Sequence, residues 1–356
     1  MTKLFYKLKV RAVLKPTKDT TTIEFELPDH LHQEFNFYPG QYLVIKFNIE
    51  GKEQRRSYSL NSCPFINEPL QVTVKRVKGG VVSNYVCDQL RAQMELEVMK
   101  PQGRFYADIQ EDDYKTYFLF AAGSGITPIL SIIKSVLVQS PYSVVNLFYG
   151  NKNQDSILFR ESLEQLEKQY PKRLNVVHTL SAPKVWTAWE QWTGQKGRIS
   201  EDSVEWFINQ YPPQAQNTQY YICGPSSMNT MVQQTLLDLG VPQKAVHIEQ
   251  FATKVEETKE VTNTVDNAKL KVTLNGITQE LFIPKGKTIL EVLKLAKMEA
   301  PYSCESAVCS SCSAKLTRGT VSMKACIALD EEDIDNGLIL TCQSYPTSEE
   351  IHIDFD

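Results

Sequence analysis

Four cysteines in the last sixth of the chain limit its possible folds more than any other feature. Cys304, Cys309 and Cys312 follow one another with four and then two residues between them, and Cys342 comes downstream in Leu340-Thr341-Cys342-Gln343. Three thiolates on one tight loop can wrap a polynuclear centre, and a fourth from a distant strand can close it. Soft thiolates suit iron in sulfide clusters and also zinc. A zinc ribbon more often uses two CxxC pairs, and this region has one. Of the chain's eight cysteines, Cys63, Cys87 and Cys223 are scattered. Cys326 has no second cysteine at ligand spacing and reads as a small buried hydrophobe. The N-terminus lacks the apolar core of a secretory signal, so eight cysteines argue for metal or catalytic use over a disulfide framework.

The C-x4-C-x2-C spacing with a distant fourth cysteine is the plant-type iron-sulfur arrangement. Residues 269–356 resemble a plant-type ferredoxin domain, which implies an α+β β-grasp fold and a 2Fe-2S cluster on Cys304, Cys309, Cys312 and Cys342. The chain departs from that family at Ala307 and Ser310, where glycine is usual and would give the loop positive φ freely. Asn275-Gly276 between two alternating runs predicts a hairpin. Thr288 with Glu291 predicts a capping box opening a short helix, with Leu290, Leu293 and Leu295 available to pack. The acidic run from Asp330 to Asp333, with Asp335, reads as a solvated loop that could steer a redox partner.

A chain of 356 residues holds two or three domains, and the pattern changes twice along it. Residues 1–110 read as an all-β barrel: short alternating runs such as Thr22–Glu26 and Gln71–Lys75 are punctuated by Pro39-Gly40 and Gly79-Gly80, with one helix near 83–90. Residues 111–251 read as an α/β domain with a parallel sheet. There Tyr117–Ala121 is a continuous apolar strand, and helices are expected at 129–138, 158–170, 204–209 and 228–239. The stretch 183–197, with Trp186, Trp189 and Trp192, reads as an irregular loop. Residues 252–268 are polar and read as a linker to the third module at 269–356.

Within the barrel, Arg56-Ser57-Tyr58-Ser59 offers a cation for a phosphate, a ring to cover an isoalloxazine and a hydroxyl for its edge. Lys75, Val77 and the turn Gly79-Gly80 lead into Val81, Val82 and Ser83, whose amides could hold a pyrophosphate at a helix start. In the second module, Gly123-Ser124-Gly125-Ile126-Thr127-Pro128 joins a buried strand to a helix. Thr127 can cap there, and Pro128 suits the first turn. On spacing alone this could be a plain structural turn. Cys223-Gly224-Pro225 is a second such junction, and Glu249-Gln250-Phe251 closes the module.

Together these segments resemble the ferredoxin-NADP reductase superfamily. The resemblance implies FAD held by Arg56, Tyr58, Ser59, Lys75, Val77, Gly80, Val81, Val82 and Ser83. It implies a nicotinamide nucleotide at Gly123, Gly125, Thr127, Pro128, Cys223, Gly224 and Pro225, with Phe251 near the flavin. Cys223, Tyr58 and Ser59 would be the catalytic set. Arg55 and Arg76 read as solvated charges. Asn151, Lys152 and Asn153 after the second strand, with Arg160 farther on, favour NADPH over NADH.

A net charge of -4 and the absence of a long apolar run give no sign of nucleic acid or a membrane, and the expected location is cytoplasmic. The order of the modules resembles oxygenase reductases, above all those of phenylacetyl-CoA epoxidase systems in phenylacetate degradation. That resemblance implies electron flow from nucleotide through flavin and cluster, one electron at a time, to an oxygenase component. Reduction of another aromatic-ring or steroid hydroxylase, or a non-catalytic redox-sensing role, are the alternatives.

Overall fold

The computed structural model describes residues 3–184, 192–251, 261 and 264–356. The first module is an antiparallel sheet of β1 (Tyr6–Leu14), β2 (Thr20–Glu26), β3 (Tyr42–Ile49), β4 (Lys52–Ser59), β5 (Leu70–Lys75) and β6 (Glu95–Val98). Its order is β4-β3-β6-β1-β2-β5. The two edges curl together: Leu60, just past β4, bridges Val72 of β5, and the Asn61 amide donates to the Gln71 carbonyl at 3.1 Å. Period-two alternation sends Leu8, Val10, Ile23, Phe25 and Val72 inward, where they are almost wholly buried. Each such side chain contributes roughly 1.5–3 kcal/mol relative to exposure. The helix α1 (Val81–Asp88) starts earlier than the expected Ser83, because Gly80 in extended conformation caps it and Val82 and Val86 plug the barrel.

The second module is a parallel sheet of β7 (Lys115–Ala122), β8 (Val144–Asn151), β9 (Leu174–Leu180), β10 (Gln195–Lys196), β11 (Asn217–Gly224) and β12 (Val246–Gln250), in the order β10-β9-β8-β7-β11-β12. Helices α2 (Ile126–Gln139) and α3 (Arg160–Gln169) cover one face, and α4 (Glu201–Gln210) and α5 (Ser226–Asp238) the other. All eight residues of β8 are buried, as a strand covered on both faces requires. Of its two buried asparagines, Asn146 accepts from the Asn175 amide at 2.8 Å, and Asn151 ends the strand. The chain steps outward from β7 to β8 and later returns to β11 on the other side. The crevice at the C-terminal ends of β7 and β11 is therefore the switch point where such sheets bind ligands. Trp192 packs half-buried on this core and donates to the Gln195 carbonyl at 2.7 Å. Trp186 and Trp189 lie outside the described residues.

The third module joins β13 (Ala268–Leu274), β14 (Ile277–Ile283), β15 (Ser313–Arg318), β17 (Leu338–Leu340) and β19 (Glu350–Asp354) in the order β14-β13-β19-β15-β17, with β16 (Val321–Met323) and β18 (Ser344–Pro346) as a small separate pair. Asn275 and Gly276 take φ of 54° and 72°, the left-handed pair that a two-residue hairpin needs. Thr288 and Glu291 form the capping box that opens α6 (Ile289–Leu295). Leu290 and Leu293 are buried, but Leu295 is 72% exposed, contrary to expectation. It lies five residues from Leu290, about 140° around the helix and away from the core. Near the end of the expected linker, Val265 donates to the Pro346 carbonyl at 3.1 Å, and β13 begins at Ala268. Most of the expected linker, residues 252–260 and 262–263, lies outside the described residues. The acidic run forms α7 (Glu331–Asp335), capped by Asp330. Among the described residues, no helix is long and apolar enough to cross a membrane.

Candidate functional site

Two cavities meet where the modules meet. The smaller, about 480 Å³, is floored by β4: Gln54, Arg56, Ser57, Tyr58 and Ser59 line it. Its far wall belongs to the third module, with Ser303, Cys304 and Cys309 among the lining residues, and Glu249 to Phe251 close one end. Arg56, Tyr58 and Ser59 thus share one pocket. Ser57 and Glu249, named only within their runs in sequence, join them, as do Gln54 and Tyr42, which sequence did not point to. Burial pushes the Tyr58 phenol up, so it stays neutral.

The larger cavity, about 960 Å³, lies over the C-terminal ends of β7 and β11 and gathers Gly123, Gly125, Gly224 and Pro225. Gly123 has φ of 55°, and its carbonyl accepts a hydrogen bond from buried Tyr149 at 3.0 Å. A Cβ on Gly125 would collide with the Cys223 carbonyl, so the two loops touch backbone to backbone. Thr127 and Pro128 are buried in the first turn of α2, outside the lining. The expected cap by Thr127 is not what forms. Gly125 occupies the cap position, and the Thr127 hydroxyl donates to the Ser124 carbonyl at 3.0 Å. Phe251 lines both cavities and separates them.

Strand register places Cys223 beside Glu249. Burial raises the Cys223 thiol and pushes the Glu249 carboxyl up to about 8, while the bond from Ser59 pulls the latter down. Both groups therefore hold their protons near neutral pH.

Several expected residues lie elsewhere. Lys75 reaches the larger cavity rather than the smaller. Gly80, Val81, Val82 and Ser83 lie outside both, at the start of α1, with Val82 and Ser83 buried and the Ser83 hydroxyl bonded by the Val77 amide at 3.1 Å. Val77 is 60% exposed on that turn. Arg76 forks onto Asp88 at 2.6 and 2.8 Å. Arg55, expected to be solvated, is 6% exposed, because another module covers it. Arg160 pairs with Glu164 on the outer face of α3 and does not line the larger cavity, whereas Arg198 does.

The four cysteines form two pairs. Cys304 shares a thiol hydrogen bond with Cys309, and Cys312 shares one with Cys342. That bond pulls the Cys304 thiol below its usual range. A single tetrahedral ion needs three or four donors converging on one point. Among the described residues no three His, Cys, Asp or Glu converge in that way. Two pairs suit two irons. Ala307 and Ser310 keep positive φ, 66° and 49°, without glycine. Buried Ala307 anchors the loop, accepting the amides of Ile327 and Ala328. Cys326 is half-buried and packs in the same small core.

Comparison with known proteins matches each module in turn. Residues 7–106 match the oxidoreductase FAD-binding domain, 119–234 the oxidoreductase NAD-binding domain, and 272–347 the 2Fe-2S iron-sulfur cluster binding domain. The ferredoxin reductase component of 3-ketosteroid-9-alpha-monooxygenase from Rhodococcus rhodochrous is 34% identical, over 98% of this chain and 96% of its own. A 1,2-phenylacetyl-CoA epoxidase subunit from Escherichia coli (strain K12) is 33% identical, over 99% and 98%. The chain belongs to the flavin and iron-sulfur reductases of oxygenase systems. Phthalate dioxygenase reductase shares the fold over 99% of this chain and 98% of that one, with a TM-score of 0.57 at 23% identity.

The reductase has the groups to hold its cofactors. Buried polar atoms are normally paired. Here the Ser303 hydroxyl, on the smaller cavity, and both amide atoms of Asn151, on the larger, have no protein partner. These are sites where a ligand would complete the hydrogen bonding. The reductase therefore combines an FAD module, a nicotinamide nucleotide module and a 2Fe-2S module in one chain.

Proposed function

We propose that the reductase passes electrons from NADPH to the oxygenase of a phenylacetyl-CoA ring-epoxidising system, acting in the cytoplasm. One observation carries the electron path: cluster cysteines Cys304 and Cys309 stand in the wall of the pocket floored by Tyr58 and Ser59. When bound, FAD takes a hydride as two electrons and releases them singly, which a one-electron cluster requires. Within the modules, proposed as 1–110, 111–251 and 269–356 joined by 252–268, Arg56, Tyr58 and Ser59 hold the flavin. Val77 and Gly80 to Ser83 serve its phosphates from the start of α1, beyond the smaller pocket, and Lys75 reaches in from the nucleotide side. Gly123, Gly125, Thr127, Pro128, Gly224 and Pro225 shape the nucleotide cleft. Cys223 positions the nicotinamide and completes the catalytic set with Tyr58 and Ser59, Glu249 holds a proton beside Ser59 and Cys223, and Phe251 guards the gap. Cys304, Cys309, Cys312 and Cys342 bind the cluster.

Lys152 and Arg198 line the nucleotide-side cavity and support a 2′-phosphate, although Glu201 and Asp202 line it as well. Asp155, the nearest acid after β8, is occupied by an ion pair with Lys184. Similarity to the Escherichia coli epoxidase component supports the choice of oxygenase. A steroid hydroxylase is the second reading, supported by the equally similar Rhodococcus component. Reconstitution of the purified reductase with each oxygenase, following NADPH-dependent product formation, tests both. Turnover with the steroid enzyme and none with the epoxidase would overturn the first reading.

A further inference from the structure

Arg55 sits on β4 between Gln54 and Arg56, which line the flavin-side pocket, and it points to the opposite face of the strand. There it is held on every side. Its guanidinium lies 3.9 Å from the ring centre of Tyr302 and 4.8 Å from that of Phe5. Nε donates to Glu53 at 2.7 Å, Nη1 donates to the Ala300 carbonyl at 3.2 Å, and Nη2 pairs with Glu299 at 3.5 Å. The Tyr302 hydroxyl donates to the same Glu53 carboxylate at 3.4 Å. A barrel side chain therefore grips residues 299–302 of the ferredoxin module. That segment runs directly into Ser303 and Cys304 in the pocket wall.

The other end of the cluster loop is pinned from the neighbouring strand. Tyr42 of β3 donates to the Cys309 carbonyl, and its hydroxyl lies 2.8 Å from that of Ser311. Register on β3 and β4 places these two anchors on adjacent strands of one sheet. A planar guanidinium that stacks on a ring while forking onto a carbonyl and carboxylates is a use that lysine cannot reproduce. Such a set of bonds fixes distance and angle together.

We propose that Arg55 is a positioning residue, which clamps the cluster loop onto the flavin barrel and holds the wall between the flavin pocket and the cluster in one geometry. It touches none of the residues proposed to bind nucleotide. The inference rests on the proposed passage of electrons across that wall.

The test compares wild type, Arg55→Ala and Arg55→Lys as full-length proteins. One readout is amide hydrogen exchange, measured with and without cofactors. A second is cluster reduction after addition of NADPH, followed apart from flavin bleaching by its visible and low-temperature EPR signals. Iron content is the control. In Arg55→Ala, exchange should rise across residues 299–312 and not across β13 to β14. Cluster reduction should slow about tenfold or more, as displacement of reacting partners does. Bleaching and iron content should hold, and Arg55→Lys should fall between. Unchanged exchange at 299–312, or cluster reduction that keeps pace with wild type, would overturn the clamp. If Arg55→Ala does not fold, Tyr302→Leu opens the same clamp from the other side, and the same two results decide. A wild-type cluster that NADPH never reduces would defeat the electron path, and the exchange result would still judge the clamp.

Discussion

The Ser59 hydroxyl donates to the Glu249 carboxylate at 3.2 Å, joining the flavin barrel to the last strand of the nucleotide sheet. Burial raises that carboxyl to about 8, so it is protonated below that value and charged above it. Flavin bleaching by NADPH should therefore fall as pH rises through about 8, and Glu249→Gln should remove that inflection. Stopped-flow bleaching across pH checks it, and the same inflection in the variant would exclude Glu249 as its source. Linkage has the same sign. The folded value lies above the unfolded one, so this group's contribution to stability is present at low pH and is lost as pH rises toward 8.

Cys309 lines the flavin-side pocket, whereas Cys342 does not, so Cys342→Ser separates cluster loss from pocket damage more cleanly. That variant should lose iron and the cluster's visible absorbance. It should keep its FAD and its bleaching by NADPH. Iron assay and stopped-flow absorbance read both, and loss of bleaching in a folded protein would show that the modules are not separable.

The acidic run does not act as one surface. Asp333 is buried, closes the α7 capping box and pairs with Arg104 of the barrel, whereas Glu331, Glu332 and Asp335 are exposed. Glu331→Gln with Glu332→Gln should slow electron delivery to the oxygenase at low salt, and the deficit should vanish at high salt. Charges that steer from solvent are screened beyond about 8 Å at physiological ionic strength. Delivery insensitive to salt would remove this helix from docking. Asp333→Asn should instead loosen the barrel contact and lower thermal stability.

Removing Lys152 or Arg198 should lower kcat/KM for NADPH about tenfold or more, the scale of one lost charge-assisted hydrogen bond, and leave NADH nearly unchanged. Steady-state comparison of the two nucleotides decides. Equal losses for both would mean that these cations hold a part common to both nucleotides.

Local chemistry is legible in the sequence where one segment contains its own reason. The cysteine spacing, the Asn275-Gly276 turn, the Thr288 capping box and the apolar run of β7 all depend on neighbours within a few residues. Arg55 misleads because a charge alternating along a strand normally faces water, and the ring and carbonyl that cover it come from Tyr302 and Ala300. Leu295 misleads when leucines are counted without their helical phase. Glu249 offers a weak signal, since it stands two residues before Phe251, but its buried state depends on Ser59 and Cys223 from two other segments. Arg198 is hidden in sequence because it follows a stretch with no periodicity, and only the folding of β10 beside β9 brings it to the cavity.

Leu4 and Phe5, ahead of β1, pack with Tyr42, Val44 and Met99 against Cys304 and Cys309. The start of the barrel and the cluster loop are thus next to each other, although nearly the whole chain separates them in sequence. The nucleotide module lies between the other two along the chain, yet the barrel touches both in space. Connection order is then a matter of tethering rather than of assembly.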